Sequence, residues 1–171
     1  YPSNYVEEIT SRMMEGSAVF ASGVAEGETS SSFFPRGCGR VIGAGWFRDV
    51  GFKYPENHGF EGYPIYKALS QGRKVTVFRD LNFKLLRGTR LSKRKLYSWG
   101  KGMRALNYWW LYAFGRAILT GLRNPVGGYW MLRGYLSKAS LYEDISEFVP
   151  RFQRKLLFKR LKETLVKGSR S

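Results

Sequence analysis

The sequence contains only one cysteine and one histidine in 171 residues. The single thiol, Cys38, excludes an internal disulfide and a zinc site built from cysteines. The single imidazole, His58, excludes a metal site built from several histidines and disfavours a Ser-His-Asp triad. An unpaired thiol is also typical of a reducing compartment. We interpret Cys38 as a small packing residue and His58 as a loop residue.

Acidic residues are scarce in the C-terminal part of the chain. Residues 1–72 contain 6 Lys or Arg and 8 Asp or Glu, whereas residues 73–171 contain 23 and 5. The first part therefore carries a net charge of −2 and the second +18, which together give the overall +16. A basic part of this kind predicts an anionic partner, either anionic lipid or nucleic acid. No known RNA- or DNA-binding signature accompanies the charge.

Long apolar runs are absent as well. The sequence has no stretch of about 18 uncharged apolar residues and no apolar core of a signal peptide. It begins without an initiator methionine, and we expect it to be part of a longer protein. Apolar residues still make up 43% of the chain, which is enough for the core of one ordinary domain with an appendage.

Residue periodicity predicts an α/β arrangement in the first part of the chain. Helical spacing of apolar residues covers 1–15, and a short apolar run bounded by glycine predicts a buried strand over 17–23. Short helices are expected over 39–49 and 63–70, and a strand rich in β-formers over 73–83. This order of helices and strands is typical of α/β architecture.

From residue 92 onward the pattern predicts only helices, over 92–106, 107–122 and 126–140, with a final helix whose apolar face runs from 145 to 165. Their aromatic side chains could form a soluble core, but aromatics alternating with Lys and Arg are typical of helices lying in a membrane surface. A transmembrane helix is disfavoured by Arg116, Gly115 and Gly121. The residues expected to contact the membrane are Trp109, Trp110, Tyr112, Trp130 and Tyr135.

The run Gly59-Phe60-Glu61-Gly62 places one carboxylate among glycines at the expected start of a helix. Glycine lets a ligand approach the backbone closely, and the positive end of the helix dipole favours an ionised carboxylate. General-base chemistry needs a carboxylate that a substrate hydroxyl can reach. Glu61 is therefore the candidate catalytic residue, and Gly59 and Gly62 are candidate substrate-binding residues. The alternative is an ordinary acidic residue in the first turn of a helix.

Three arginines are candidate ligands for a phosphate. Arg87 directly follows the expected strand over 73–83, where α/β folds place ligand-binding loops. Arg36 and Arg40 flank Gly37-Cys38-Gly39, and a guanidinium matches a phosphate with two parallel hydrogen bonds. The alternative for each is a basic side chain on a solvated loop.

Taken in order, these residues resemble the family 2 glycosyltransferases of GT-A fold. The stretch from Tyr1-Pro2 to Ala-Val-Phe-Ala-Ser-Gly resembles the segment after that family's Asp-x-Asp motif. Arg36 to Arg40, Gly51, Gly59 to Gly62, Ala68, Gly72 and Leu86-Arg87 occur in the order of the family's acceptor-side half. The C-terminal part resembles members that build surface polysaccharides or lipid-linked glycans through Gly100-Lys101-Gly102, Asn124-Pro125, Gly134-Tyr135 and Phe152-Gln153.

The resemblance implies a partial GT-A (Rossmann-like) domain over 1–91 that lacks the nucleotide-binding half, followed by a basic, aromatic helical tail over 92–171. It implies inverting sugar transfer, with Glu61 as the base and Arg87 beside the leaving diphosphate. Gly62 stands where members often have a second acid, and Leu85 stands near the place of a metal-holding histidine. A divalent metal, Mg²⁺ or Mn²⁺, is expected for the whole enzyme and none for this part alone.

The resemblance also implies partners and a location. The donor would be a nucleotide-sugar bound by the missing half, and the acceptor would be lipid-linked, at the cytoplasmic face of an anionic membrane to which the protein binds peripherally. Alone, the chain is expected neither to bind the donor nor to turn over. A second copy of the chain could cover the same aromatic surface as the membrane. The competing interpretation is a non-enzymatic basic module that binds anionic membrane or RNA.

Overall fold

The computed structural model describes residues 1–27, 34–86 and 91–168. The chain forms two compact units. Unit 1 comprises Tyr1–Pro55 and Glu61–Arg90, and unit 2 comprises Glu56–Phe60 and Leu91–Ser171. The described residues contain a three-stranded mixed sheet and seven α-helices, so the predicted α/β class is confirmed at this level. The sequence-based division into 1–91 and 92–171 differs from these units, because residues 56–60 and Leu91 belong to unit 2.

The sheet of unit 1 is built around its first strand. β1 (Ala18–Ala25) pairs with β2 (Arg40–Ile42) in antiparallel fashion and with β3 (Lys74–Phe83) in parallel fashion, which gives the order β2-β1-β3. β1 is central and mostly buried because it consists of small and apolar residues. A parallel pair needs a long crossover, and the two helices between β2 and β3 lie in that crossover.

Helices cover both faces of this sheet. α1 (Tyr5–Glu15) buries Tyr5, Ile9 and Met13 at four-residue spacing in a cluster that includes Ala21 and Ala25 of β1. α2 (Ala44–Asp49) and α3 (Tyr63–Ser70) contribute to a second cluster of buried side chains, composed of Phe20, Trp46, Ile65, Ala68 and Val75. Successive side chains of a strand point to opposite faces, so Phe20 and Ala21 belong to different clusters.

The prediction of a helix over 39–49 is wrong in its first half. Val41 and Ile42 are β-branched residues that pair with the edge of β1, and the helix begins only at Ala44. Gly43 marks the change: its N–H donates to the Val19 carbonyl at 2.9 Å, and its backbone is extended. Strand pairing therefore determines the local structure before Ala44.

Unit 2 is helical, as the sequence predicted. It contains α4 (Lys93–Ala105), α5 (Trp110–Arg123), α6 (Pro125–Leu136), a short 3₁₀ helix (Glu143–Ile145) and α7 (Phe148–Gly168). Ser92 caps α4 by accepting from the Lys95 N–H, and Asn124 caps α6 by accepting from the Gly127 N–H. The predicted apolar face of the last helix included Phe148, Phe152 and Leu156, which are half-buried, whereas the fully buried residues of α7 are Val149 and Gln153.

Glycines bring α6 very close to its two neighbours. A Cβ placed on Gly100 of α4 would lie 1.9 Å from the Met131 carbonyl oxygen of α6, and one on Gly134 would lie 2.1 Å from the Tyr97 carbonyl oxygen. A Cβ on Gly128 would lie 2.7 Å from the Ala117 carbonyl oxygen of α5. The backbones of α4 and α5 therefore contact the backbone of α6 at places where only glycine fits.

Replacing one of these glycines should separate the helices. We expect Gly134→Ala to destabilise unit 2 by about 1–3 kcal/mol, because the methyl group would overlap backbone atoms that cannot rotate away. Gly115→Ala in α5 is the matched control: its Cβ meets no atom within 4 Å. It should be neutral or stabilising by up to about 1 kcal/mol. Urea unfolding followed by circular dichroism measures both, and equal effects would contradict the contact.

Candidate functional site

Glu61 lies on the surface of unit 1, two residues before α3 begins. Its side chain is exposed, and its two carboxylate oxygens lie 3.7 Å from the position that a Cβ on Gly37 would occupy. The open space beside Gly37 therefore borders the carboxylate. A hydroxyl group of a ligand could reach this carboxylate from solvent, which is the first geometric requirement for a general base.

Arg40 fixes the backbone next to this carboxylate. Its Nη1 donates to the Glu61 carbonyl oxygen at 3.3 Å, and its Nη2 donates to the Pro35 carbonyl oxygen at 2.8 Å. Its Nε is buried and has no hydrogen-bond partner among the described residues. The guanidinium of Arg40 therefore joins two backbone segments of unit 1 and helps to position Glu61. Its binding of a phosphate stays a prediction.

The turn that contains Gly37 is held by two tyrosines that the sequence analysis did not single out. The Tyr5 hydroxyl donates to the Gly39 carbonyl at 2.6 Å and accepts from the Gly23 N–H at 2.8 Å, while the Tyr1 hydroxyl accepts from the Gly39 N–H at 2.9 Å. Burial raises the pKa of Tyr5. Gly39 has φ +67° and a Cβ there would lie 2.6 Å from the Tyr5 hydroxyl, so this turn requires glycine.

The other expected substrate-binding residues differ in their local surroundings. Arg36 is exposed beside Gly37, and Gly62 is buried as the N-cap residue of α3. Gly59 lies in unit 2, where φ is +81° and a Cβ would lie 2.9 Å from the Gly102 carbonyl oxygen of α4. Its contact with a helix explains the glycine without a ligand. Arg87 lies outside the described residues.

The aromatic side chains expected to contact a membrane divide by exposure. Trp110 is 58% exposed, whereas Trp109, Tyr112 and Trp130 are half-buried. The Arg154 guanidinium lies over the Trp109 ring, 5.6 Å from its centroid. Tyr135 departs from the prediction: it is buried, and its hydroxyl donates to the Tyr108 carbonyl at 2.8 Å. An aromatic residue with an internal hydrogen-bond partner belongs to the core of unit 2.

α5 also carries an exposed aliphatic surface that was not among the predicted membrane contacts. Four large side chains form what we call the outer stripe of α5. They are Leu111, Ile118, Leu119 and Leu122, which are 43%, 62%, 66% and 77% exposed. Their spacing of seven, one and three residues places them on one side of the helix, a pattern that is visible in the sequence.

An open groove of about 510 Å³ in unit 2 is lined by three basic side chains, His58, Lys101 and Lys138, together with Glu56. The backbone of its loop is fixed by Asn57, whose amide donates to the Ser140 carbonyl at 2.6 Å and whose own carbonyl accepts from the Tyr142 hydroxyl at 3.1 Å. Burial raises the pKa of Tyr142 to about 12. Burial and, to a smaller extent, the charge of Lys101 lower the pKa of His58.

Two further properties concern metals and membranes. Among residues 1–27, 34–86 and 91–168, no three His, Cys, Asp or Glu side chains come together in a way that could hold a metal ion. In the same part, none of the helices combines the length and apolar character needed to span a membrane.

Comparison of the chain with protein-family models, with curated proteins and with solved structures gives no match. The resemblance to family 2 glycosyltransferases therefore depends on the residues quoted above. Of these, Glu61, Gly37 and Arg40 come together in unit 1, and Gly59, Gly102 and Gly134 serve helix packing in unit 2.

The single histidine gives a direct test of the groove. We expect His58 to titrate below its ordinary pKa of 6.5, and Lys101→Met to raise that pKa only in part, because burial is the larger cause and remains. The folded state then binds fewer protons than the unfolded state, so His58 lowers stability as pH falls from 6.5 through the lowered pKa. NMR of the one imidazole measures the pKa. Lys138→Met is the control, and an equal shift in both variants would contradict the assignment to Lys101.

Proposed function

We propose that this chain is the acceptor-side part of a membrane-associated, inverting glycosyltransferase resembling family 2. In this proposal Glu61 is the base that accepts the proton of the acceptor hydroxyl. The observation that supports it best is the arrangement around Glu61: its carboxylate is exposed next to Gly37, while its own carbonyl is held by Arg40. An exposed carboxylate on a fixed backbone suits a base that must meet a hydroxyl at a defined position.

The reaction would proceed in one displacement. The acceptor oxygen forms a bond to the anomeric carbon of the sugar on the face opposite the nucleoside diphosphate, and the bond from that carbon to the diphosphate oxygen breaks. The proton of the acceptor hydroxyl passes to a carboxylate oxygen of Glu61. The donor, and the Mg²⁺ or Mn²⁺ expected with it, would be bound by a part of the enzyme other than the residues described, and no step assigned to the present residues passes through the metal.

The composition of unit 2 supports a location at the cytoplasmic surface of a membrane and a lipid-linked acceptor. Its helices combine a large positive charge with exposed apolar side chains. Anionic headgroups attract the charge, and a peripheral enzyme held in this way would meet acceptors that diffuse in the same membrane.

Removal of the proposed base should abolish transfer. In a protein that contains this chain together with the donor-binding part, we expect Glu61→Gln to lower kcat by about 100- to 10,000-fold, because the amide cannot accept the proton. Glu7→Gln is the matched control, since Glu7 is an exposed acidic residue of α1 in the same unit. Release of nucleoside diphosphate from the nucleotide-sugar measures the rate. Transfer at the parent rate by Glu61→Gln would exclude Glu61 as the base.

The second candidate is a non-enzymatic basic module that binds anionic membrane or RNA. The exposed outer stripe and the charge of unit 2 favour this candidate, because they could bind an anionic partner without any contribution from Glu61 of unit 1. In such a module, Glu61→Gln would leave binding to the membrane or RNA unchanged. Replacement of basic residues such as Lys155 and Lys159 would weaken that binding. The two candidates therefore differ in their response to one substitution.

A further inference from the structure

α5 packs with its small residues inside and its large apolar residues outside. The buried residues are Ala113 and Ala117, at four-residue spacing, and Gly121 follows at the same spacing. A Cβ on Gly128 of α6 would lie 2.7 Å from the Cα of Gly121, so the two backbones nearly touch. The outer stripe lies on the opposite side, which is the reverse of a helix packed in a water-soluble core.

This arrangement is typical of helices whose outer surface meets lipid. In a membrane, helices associate through small residues that allow close backbone contact, while large apolar side chains face the acyl chains. In water, the outer stripe would instead expose four aliphatic side chains on one helix. Val126 and Tyr129, in the first turns of α6, are exposed as well.

The charges around the outer stripe fit an anionic surface. From Leu91 to Tyr142 the sequence has nine Lys or Arg and no Asp or Glu. Arg116 and Arg123 of α5 are both exposed and are seven residues apart, so they lie on one side of the helix, next to Leu119. Long basic side chains at the edge of an apolar face can reach lipid phosphates while the apolar residues enter the bilayer.

We propose that α5 lies in the plane of an anionic membrane surface, with its outer stripe among the upper acyl chains and Arg116 and Arg123 at the phosphates. The 14 residues of α5 span about 21 Å, which is shorter than the hydrocarbon thickness of a bilayer and fits an in-plane helix. This inference deepens the proposed function by naming the surface that faces the membrane. It rests on that function only for the purpose of the contact, which is to bring the enzyme to a lipid-linked acceptor.

Nucleic acid fits this surface less well. Single-stranded nucleic acids are bound by aromatic rings that stack on bases, and the outer stripe contains only leucine and isoleucine. A second copy of the chain would bring equal positive charges together, because every charged residue of α5 is an arginine. An anionic lipid surface satisfies both the apolar and the basic residues.

Flotation with lipid vesicles tests the proposal on the intact chain. The vesicles are phosphatidylcholine alone or mixed with phosphatidylglycerol. Ile118→Gln/Leu122→Gln removes apolar surface without changing charge, and we expect it to weaken binding to the mixed vesicles about tenfold or more. Val6→Gln/Met14→Gln is the matched control, because these side chains of α1 are 65% and 73% exposed. It should bind like the parent chain.

A second measurement keeps the proposal testable if the double variant folds poorly. An environment-sensitive dye on Leu119→Cys, in a Cys38→Ser background, should shift to the blue when mixed vesicles are added, and a dye on Val6→Cys should not. Binding of Ile118→Gln/Leu122→Gln equal to that of the parent would overturn the proposal. A blue shift that depends on protein concentration in the absence of vesicles would also overturn it, because the stripe would then be an interface between copies. A blue shift that appears with RNA in the absence of vesicles would overturn it as well.

The outcomes also separate this inference from the proposed catalysis. Glu61→Gln should bind vesicles like the parent chain, since Glu61 belongs to unit 1. Loss of vesicle binding in Ile118→Gln/Leu122→Gln, with Glu61→Gln retaining transfer, would leave the membrane surface standing and reject the base. In the reverse pattern, Ile118→Gln/Leu122→Gln binds vesicles like the parent chain and Glu61→Gln abolishes transfer. That result would reject the membrane surface and leave the base standing.

Discussion

Close backbone contact through glycine is the constraint on which unit 2 depends. At Gly100, Gly134 and Gly128, a side chain of even one carbon would overlap backbone atoms of the facing helix. These contacts hold α4 and α5 against α6 through small residues. The interface between α5 and α6 therefore has no room for the large apolar side chains of α5, which lie on the outside. The exposure of the outer stripe follows from how tightly the helices pack, and the membrane proposal follows from that exposure.

Unit 1 uses polar contacts for a different purpose. Tyr5 joins β1 to the turn at Gly39, and Arg40 joins Pro35 to the carbonyl of Glu61. These bonds fix the backbone around an exposed carboxylate and leave its oxygens facing solvent beside Gly37. A fixed backbone with a reachable carboxylate is what base chemistry requires, and for this reason Glu61 is central to the proposed function.

Periodicity predicted most of the elements, because the apolar spacing of α1, β1, α3 and β3 matches their burial. It failed where pairing partners decide the structure, as at Val41, which joins the sheet edge. At the candidate site the sequence singled out Glu61, and its role as a base stays a prediction. The role of Arg40 depends on two carbonyls that no residue pattern reveals, and the burial of Tyr135 depends on how closely its helix is packed.

The central claim is that the packing of α5 directs its outer stripe into lipid. Spin labels introduced one at a time at positions 111, 118, 119 and 122, with Cys38 replaced by serine, would measure collisions with oxygen, which concentrates in acyl chains. In the presence of anionic vesicles we expect high oxygen accessibility at all four positions and low accessibility at position 6 of α1. Equal, water-like accessibility at all five positions would contradict the claim.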